Sequence, residues 1–110
     1  RSLQTGTLYE RFRQLVQDRC MKEREVKFYA NQLNISDKYL NVISKQNSGA
    51  TASEFIQRFT KERIVLLLQN KNLNISEISD EMGFSSRSFF TQYVKKVLGS
   101  TPSDYRNRLE

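Results

Sequence analysis

The sequence contains no histidine and a single cysteine, Cys20. The first lack removes the commonest metal ligand and general base. The second excludes an internal disulfide and a cysteine-based zinc site, and it fits a reducing, intracellular setting. No stretch approaches the roughly 20 apolar residues of a membrane span. The run Val65-Leu66-Leu67-Leu68 is short and lies near charges. There is no signal-peptide pattern, Gly-rich phosphate loop, low-complexity tract or strand-like alternation. The adjacent acids Asp80-Glu81 would point apart on a helix. No nucleophile, base or oxyanion site accompanies them. The expectation is a chain with no metal, no cofactor and no catalytic activity, and with no membrane partner.

What the chain has is positive charge. Its 110 residues carry a net charge of +6, with a sequence pI near 9.7. That balance favours a polyanionic partner over a merely basic surface, though weakly when taken alone. The length allows one domain or two very small ones. The chain starts at Arg1 rather than Met, so it reads as part of something longer.

The helical period dominates the pattern. Leu8, Phe12, Leu15 and Val16 fall on one face of a first helix ending near Cys20. A charged link, Met21 to Lys27, follows. Phe28-Tyr29-Ala30 and Leu33 mark a short second helix. Ser36 suits the N-cap of a third, with Tyr39, Leu40 and Ile43 inward, and Ser48-Gly49 stops it. Thr51-Ala52-Ser53-Glu54 is a capping box opening the longest helix, roughly Ala52 to Gln69, with Phe55, Phe59 and the aliphatic cluster 64–68. Such a helix is a stiff connector, unlike a Gly/Ser linker. Asn74 to Glu77 starts another helix, with Ile75, Ile78 and Met82 as its buried stripe and Gly83 at a turn requiring positive φ. Ser86 caps the next, with Phe89, Phe90, Tyr93, Val94 and Val97 inward, and Gly99 ends it. Thr101-Pro102 starts a last short helix, with Pro at the first helical position.

The chain also repeats itself after about fifty residues. Gly49-Ala50-Thr51-Ala52-Ser53-Glu54-Phe55 returns as Gly99-Ser100-Thr101-Pro102-Ser103-Asp104-Tyr105. Tyr39-Leu40, Ile43 and Lys45 return as Phe89-Phe90, Tyr93 and Lys95. Leu33-Asn34-Ile35 returns as Met82-Gly83-Phe84 at an offset one residue shorter, so the second turn is one residue longer. Each copy can hold one supersecondary unit. Short helix, tight turn, second helix is the order of a helix-turn-helix.

The outward face of the helix from Arg87 to Leu98 offers Arg87, Ser88, Thr91, Gln92, Lys95 and Lys96, with no acid from Ser86 to Thr101. Arg can bond bidentately to guanine, Gln to adenine, and Ser or Thr to base edges or phosphate. Most polar helix faces are simply solvated. The basic charge, the preceding short helix and the repeat favour a major groove instead. The corresponding helix from Asp37 to Asn47 turns Asp37, Lys38, Asn41, Val42, Ser44 and Lys45 outward. Asp37 reads as a partner of the helix dipole. Lys38, Asn41 and Lys45 can touch DNA, and Val42 either packs on a thymine methyl or is merely exposed. Phe84, Phe89, Phe90 and Tyr93 could form a stacking platform for single strands, but their helical spacing reads as core. Cys20 reads as a partly buried thiol.

At these residues the sequence resembles the AraC/XylS family of bacterial transcription regulators. The second half carries the likeness in Ile75-Ser76-Glu77-Ile78-Ser79-Asp80-Glu81-Met82-Gly83-Phe84, Ser88-Phe89-Phe90, Tyr93-Val94-Lys95-Lys96 and Gly99-Ser100-Thr101-Pro102-Ser103-Asp104-Tyr105-Arg106. The first half adds Tyr29-Ala30-Asn31-Gln32-Leu33, Ser36-Asp37-Lys38-Tyr39-Leu40 and Gly49. The wording Phe28-Tyr29-Ala30 and Ser88-Phe89-Phe90 is similar to members from Bacteroides-like bacteria.

The resemblance implies an all-α domain of about seven helices. It has two helix-turn-helix units, at about 26–48 and 74–98, bridged by a long central helix at about 51–70 and followed by a C-terminal helix at about 102–108. It implies double-stranded DNA as partner, with two recognition helices in successive major grooves about 34 Å apart. By residue-by-residue match, the DNA-facing positions are Lys38, Asn41, Val42 and Lys45, then Arg87, Ser88, Thr91, Gln92 and Lys95. Lys96 joins them from the basic face. RNA polymerase is a further implied partner. Effector or dimer contacts would belong to a separate N-terminal domain, and the setting would be cytoplasmic. The chain departs from the family at several places. Ser44 and Val94 stand where many members have Phe, which implies a smaller or partly polar core. Thr60 stands where Arg is common. Val42 and Gln92 stand where many members present Arg to DNA. The alternative class is a basic helical adaptor docking an acidic protein.

Overall fold

The computed structural model describes residues 2–109, with side chains over 6–109; Arg1 and Glu110 lie outside the described residues. The described residues form seven helices and no strand. In order they are α1 Ser2–Arg19, α2 Val26–Gln32, α3 Asp37–Ser48, α4 Ala52–Gln69, α5 Ile75–Glu81, α6 Arg87–Leu98 and α7 Pro102–Leu109. The chain divides into two compact units, the first ending at Phe59 and the second starting at Thr60.

The first unit is built on aromatic packing. Phe12, Val16 and Cys20 of α1 and its end are buried with Tyr29, Ala30, Leu33, Leu40, Ala52, Phe55 and Ile56. The Phe12 ring lies 5.8 Å from Tyr29, edge to face, and 5.2 Å from Phe55. Burying a side chain such as Phe12 contributes about 1.5–3 kcal/mol. α1 packs on α2 and α3, and α2 packs on α3. Cys20 is completely rather than partly buried, because it continues the Phe12-Val16 stripe by one more helical step. The Tyr29 hydroxyl donates to the Glu23 carbonyl at 2.6 Å and ties the link before α2 to the core. Burial, reinforced by the charges of Cys20 and Glu23, raises its pKa above the usual tyrosine value.

In the second unit Ile64, Leu68, Ile75, Ile78, Met82, Phe90 and Val94 are buried. α5 and α7 each pack against α6. The Phe84 ring fills the turn side, 5.2 Å from Phe90 and 5.5 Å from Tyr93. Arg106 of α7 holds the end of α4. Its Nε donates to the Leu68 carbonyl at 2.9 Å, and one terminal nitrogen donates to the carbonyls of Asn70 at 3.2 Å and Leu67 at 3.5 Å.

Four placements differ from the periodicity. Phe89 is 58% exposed and Tyr39 is 41% exposed. Each precedes a buried residue, Phe90 or Leu40, and adjacent helix positions differ by about 100° of rotation. The inner position goes to the second residue of each pair. Ser44 is buried, not outward. It lies one turn beyond Leu40, and its hydroxyl is satisfied by donating to the Ala50 carbonyl at 2.8 Å. Leu66 is 62% exposed, because a run of five apolar residues, 64–68, wraps more of a helix than one core face can cover.

Candidate nucleic-acid interface

Two helix pairs, α2 with α3 and α5 with α6, share the same local bonding. In the first turn the Ile35 N–H reaches the Ala30 carbonyl at 3.0 Å, and Asn34 takes φ of 58°. In the second the Phe84 N–H reaches the Ser79 carbonyl at 3.1 Å, and Gly83 takes φ of 72°. These bonds close the ends of α2 and α5 and turn the chain into the following helix. Ser36 then accepts the Tyr39 N–H at 3.0 Å, and Ser86 accepts the Phe89 N–H at 3.2 Å. The same pair of helices ends on Gly49 and Gly99, with φ of 80° and 81°.

The helix after each pair is capped as well. Thr51 and Glu54 form a reciprocal box at the start of α4, with the Thr51 N–H on Glu54 Oε1 at 2.9 Å and the Glu54 N–H on Thr51 Oγ1 at 3.2 Å. Those hydrogen bonds, the backbone one first, hold the Glu54 carboxyl below its usual pKa. Asn74 and Glu77 form a second box at α5. At α7 Thr101 accepts the Asp104 N–H at 3.1 Å. The shorter Asp104 stands where Glu54 stands in the first copy.

On α6, Arg87, Ser88, Gln92, Lys95 and Lys96 are exposed and Thr91 is half-buried. No acid occurs between Met82 and Ser103. The helix thus presents hydrogen-bonding side chains in its first turns and positive charge in its last. On α3, Lys38, Val42 and Lys45 are exposed along one stripe. Asn41 is half-buried, and its Oδ1 accepts the Ala52 N–H at 2.9 Å. Its side-chain oxygen therefore anchors the start of α4, which fixes the orientation of the Asn41 amide. Periodicity alone gave no signal of this bond, which joins residues eleven apart. The exposed rings Tyr39 and Phe89 are the additions the structure makes to the two faces.

Among the described residues no cluster of His, Cys, Asp or Glu could hold a metal ion, and no helix is long and apolar enough to cross a membrane. Two similarly wired helix pairs with exposed basic faces define a helix-turn-helix protein, and residues 29–108 match the helix-turn-helix domain family. The chain belongs to the AraC/XylS family of transcription regulators and forms a DNA-binding domain of that family. It is 34% identical over 95 residues to histidine kinase P4 of Formosa agariphila, covering 86% of this chain and 7% of that protein. It is 33% identical over 81 residues to the Msm operon regulatory protein of Streptococcus mutans serotype c, covering 74% of this chain and 29% of that protein. The C-terminal domain of AraT, a response regulator from Geobacillus stearothermophilus, superposes with a TM-score of 0.79 at 27% identity, over 92% of this chain and 84% of that one. The chain thus spans less than a third of the length of these curated relatives.

Proposed function

We propose that this domain reads a specific duplex DNA site, with the first turns of α3 and α6 each in a major groove, and passes that choice on as the output of a larger regulator. The observation that carries the reading is the face of α6. Arg87 and Ser88 stand exposed in its first turn and Gln92 at its centre, Lys95 and Lys96 follow, and no acid opposes them. Arg87 and Gln92 have the geometry for guanine and adenine. Lys38, Lys45, Lys95 and Lys96 supply phosphate contacts, and Ser88 and Thr91 bond to base edges or backbone.

The domain's own role is binding, not catalysis, and its setting is the cytoplasm. Sensing or dimerisation belongs to another part of the parent, and RNA polymerase is the partner through which binding becomes regulation. The kinase, operon-regulator and response-regulator names of its relatives support a parent that couples a signal to DNA. Selection of bound duplexes from a random pool supplies the site, and a salt titration on it tests the reading. With around five phosphates neutralised, log K falls against log salt with a slope of about −4 to −5. A flat response between low and physiological salt, with no preference over scrambled duplex, would instead support the adaptor.

A further inference from the structure

The two recognition helices differ at their equivalent outward centres. Val42 of α3 corresponds to Gln92 of α6 at the repeat offset of fifty. Val42 is 43% exposed, and Tyr39, three residues earlier and therefore beside it on the helix, is 41% exposed. Asn41, the one amide side chain in the first two turns of α3, is half-buried, and its oxygen accepts the Ala52 N–H. The centre of the α3 face is thus apolar, with no forked side chain to make paired hydrogen bonds to a base. Lys38 and Lys45 flank it, one turn before and one after. No acid occurs from Lys38 to Ser53. Positive charge around an exposed apolar centre matches a phosphate backbone bordering an apolar patch in the groove, and the apolar group that duplex DNA displays in its major groove is the thymine 5-methyl.

Resting on the DNA-binding reading above, we infer that the two units read DNA by different chemistry. The first unit recognises thymine methyls through Val42, with Tyr39 beside it and Lys38 and Lys45 on the flanking phosphates. The second reads base edges by hydrogen bonds from Arg87 and Gln92. The aromatic flank is common to both units, since Phe89 is the exposed counterpart of Tyr39. At the centre the two units differ, with Val42 in one and Gln92 in the other. The site is therefore asymmetric in kind, with a thymine-dependent part under α3.

Replacing thymines of the selected site by deoxyuridine, one at a time, removes only the methyl and leaves every hydrogen-bonding edge in place. The wild-type chain loses about fourfold in affinity at one or two thymines, the worth of one buried methyl-sized group. Val42→Gln installs the side chain of the other unit at an exposed helix position, so folding is preserved, and it abolishes that loss at those same thymines. Arg87→Ala leaves the loss in place. Sequence-specific binding with no thymine-to-uracil effect in the wild type overturns this inference alone, as does an effect that persists unchanged in Val42→Gln. Absence of any specific duplex binding overturns the DNA-binding reading, and this inference with it.

Discussion

Asn34 and Gly83 hold the same left-handed turn in the two units, with φ of 58° and 72°. In both cases the next residue's N–H bonds back to the preceding helix, at Ala30 and Ser79. Asn is among the few residues other than glycine that visit this region readily. Gly83→Val, which puts a β-branched side chain there, should destabilise the second unit by about 1–3 kcal/mol. Gly83→Asn, copying the first unit, should cost much less. Thermal or urea unfolding of the two variants measures the difference, and equal midpoints for both would contradict this account of the turn.

Much of the fold was legible because it is written locally. Ser36, Thr51, Asn74, Ser86 and Thr101 each cap a helix within three residues of themselves, and Gly49, Gly83 and Gly99 mark turns by their own backbone freedom. The seven-helix, all-α class followed from those signals and from the apolar stripes. The faces were less legible. Tyr39 and Phe89 are aromatic and sit at helical spacing from core residues, so pattern alone sends them inward. Only the rotation set by Leu40 and Phe90 turns them out. Ser44 and Asn41 mislead in the other direction: their polarity suggests solvent, while each is committed to a backbone group of the following turn or helix.

The least legible contact is the one from Arg106 to the end of α4, since its partners Leu67, Leu68 and Asn70 lie 36 to 39 residues earlier. The Leu67 and Asn70 carbonyls also accept the backbone N–H groups of Asn70 and Leu73 at 3.1 Å, and the guanidinium adds donors to several carbonyls of this helix end at once. Arg106→Ala should cost about 1.5–3 kcal/mol, the range for hydrogen bonds to a charged group. Arg106→Lys should recover only part of it, because an ammonium lacks the planar fork. Urea midpoints check both, and full recovery by lysine would contradict the role of the fork.

The capping box at Thr51 and Glu54 makes a prediction about pH. The folded state holds the Glu54 carboxyl below its ordinary pKa of about 4.3. Its contribution to stability is therefore present above that ordinary value and lost as pH falls through the lower, folded value. Glu54→Gln keeps the reciprocal hydrogen bonds without the titrating group. Any stability advantage of the wild type over Glu54→Gln should shrink as pH drops from neutral into the acid range. Melting temperatures of the pair across that range measure it, and a gap that widens on acidification would contradict the assignment.

The most direct test of the central claim is the affinity of Arg87→Ala and Lys95→Ala on the preferred duplex and on a scrambled one. Arg87 stands exposed in the first turn of α6, and Lys95 stands two turns later. Arg87→Ala should lose about 1–3 kcal/mol on the preferred duplex, little on the scrambled one, and relax preference at one base pair. Lys95→Ala should weaken both duplexes alike and reduce the salt slope by about one. An equal loss on both duplexes for Arg87→Ala would make it a phosphate contact and contradict the placement of α6 in the groove.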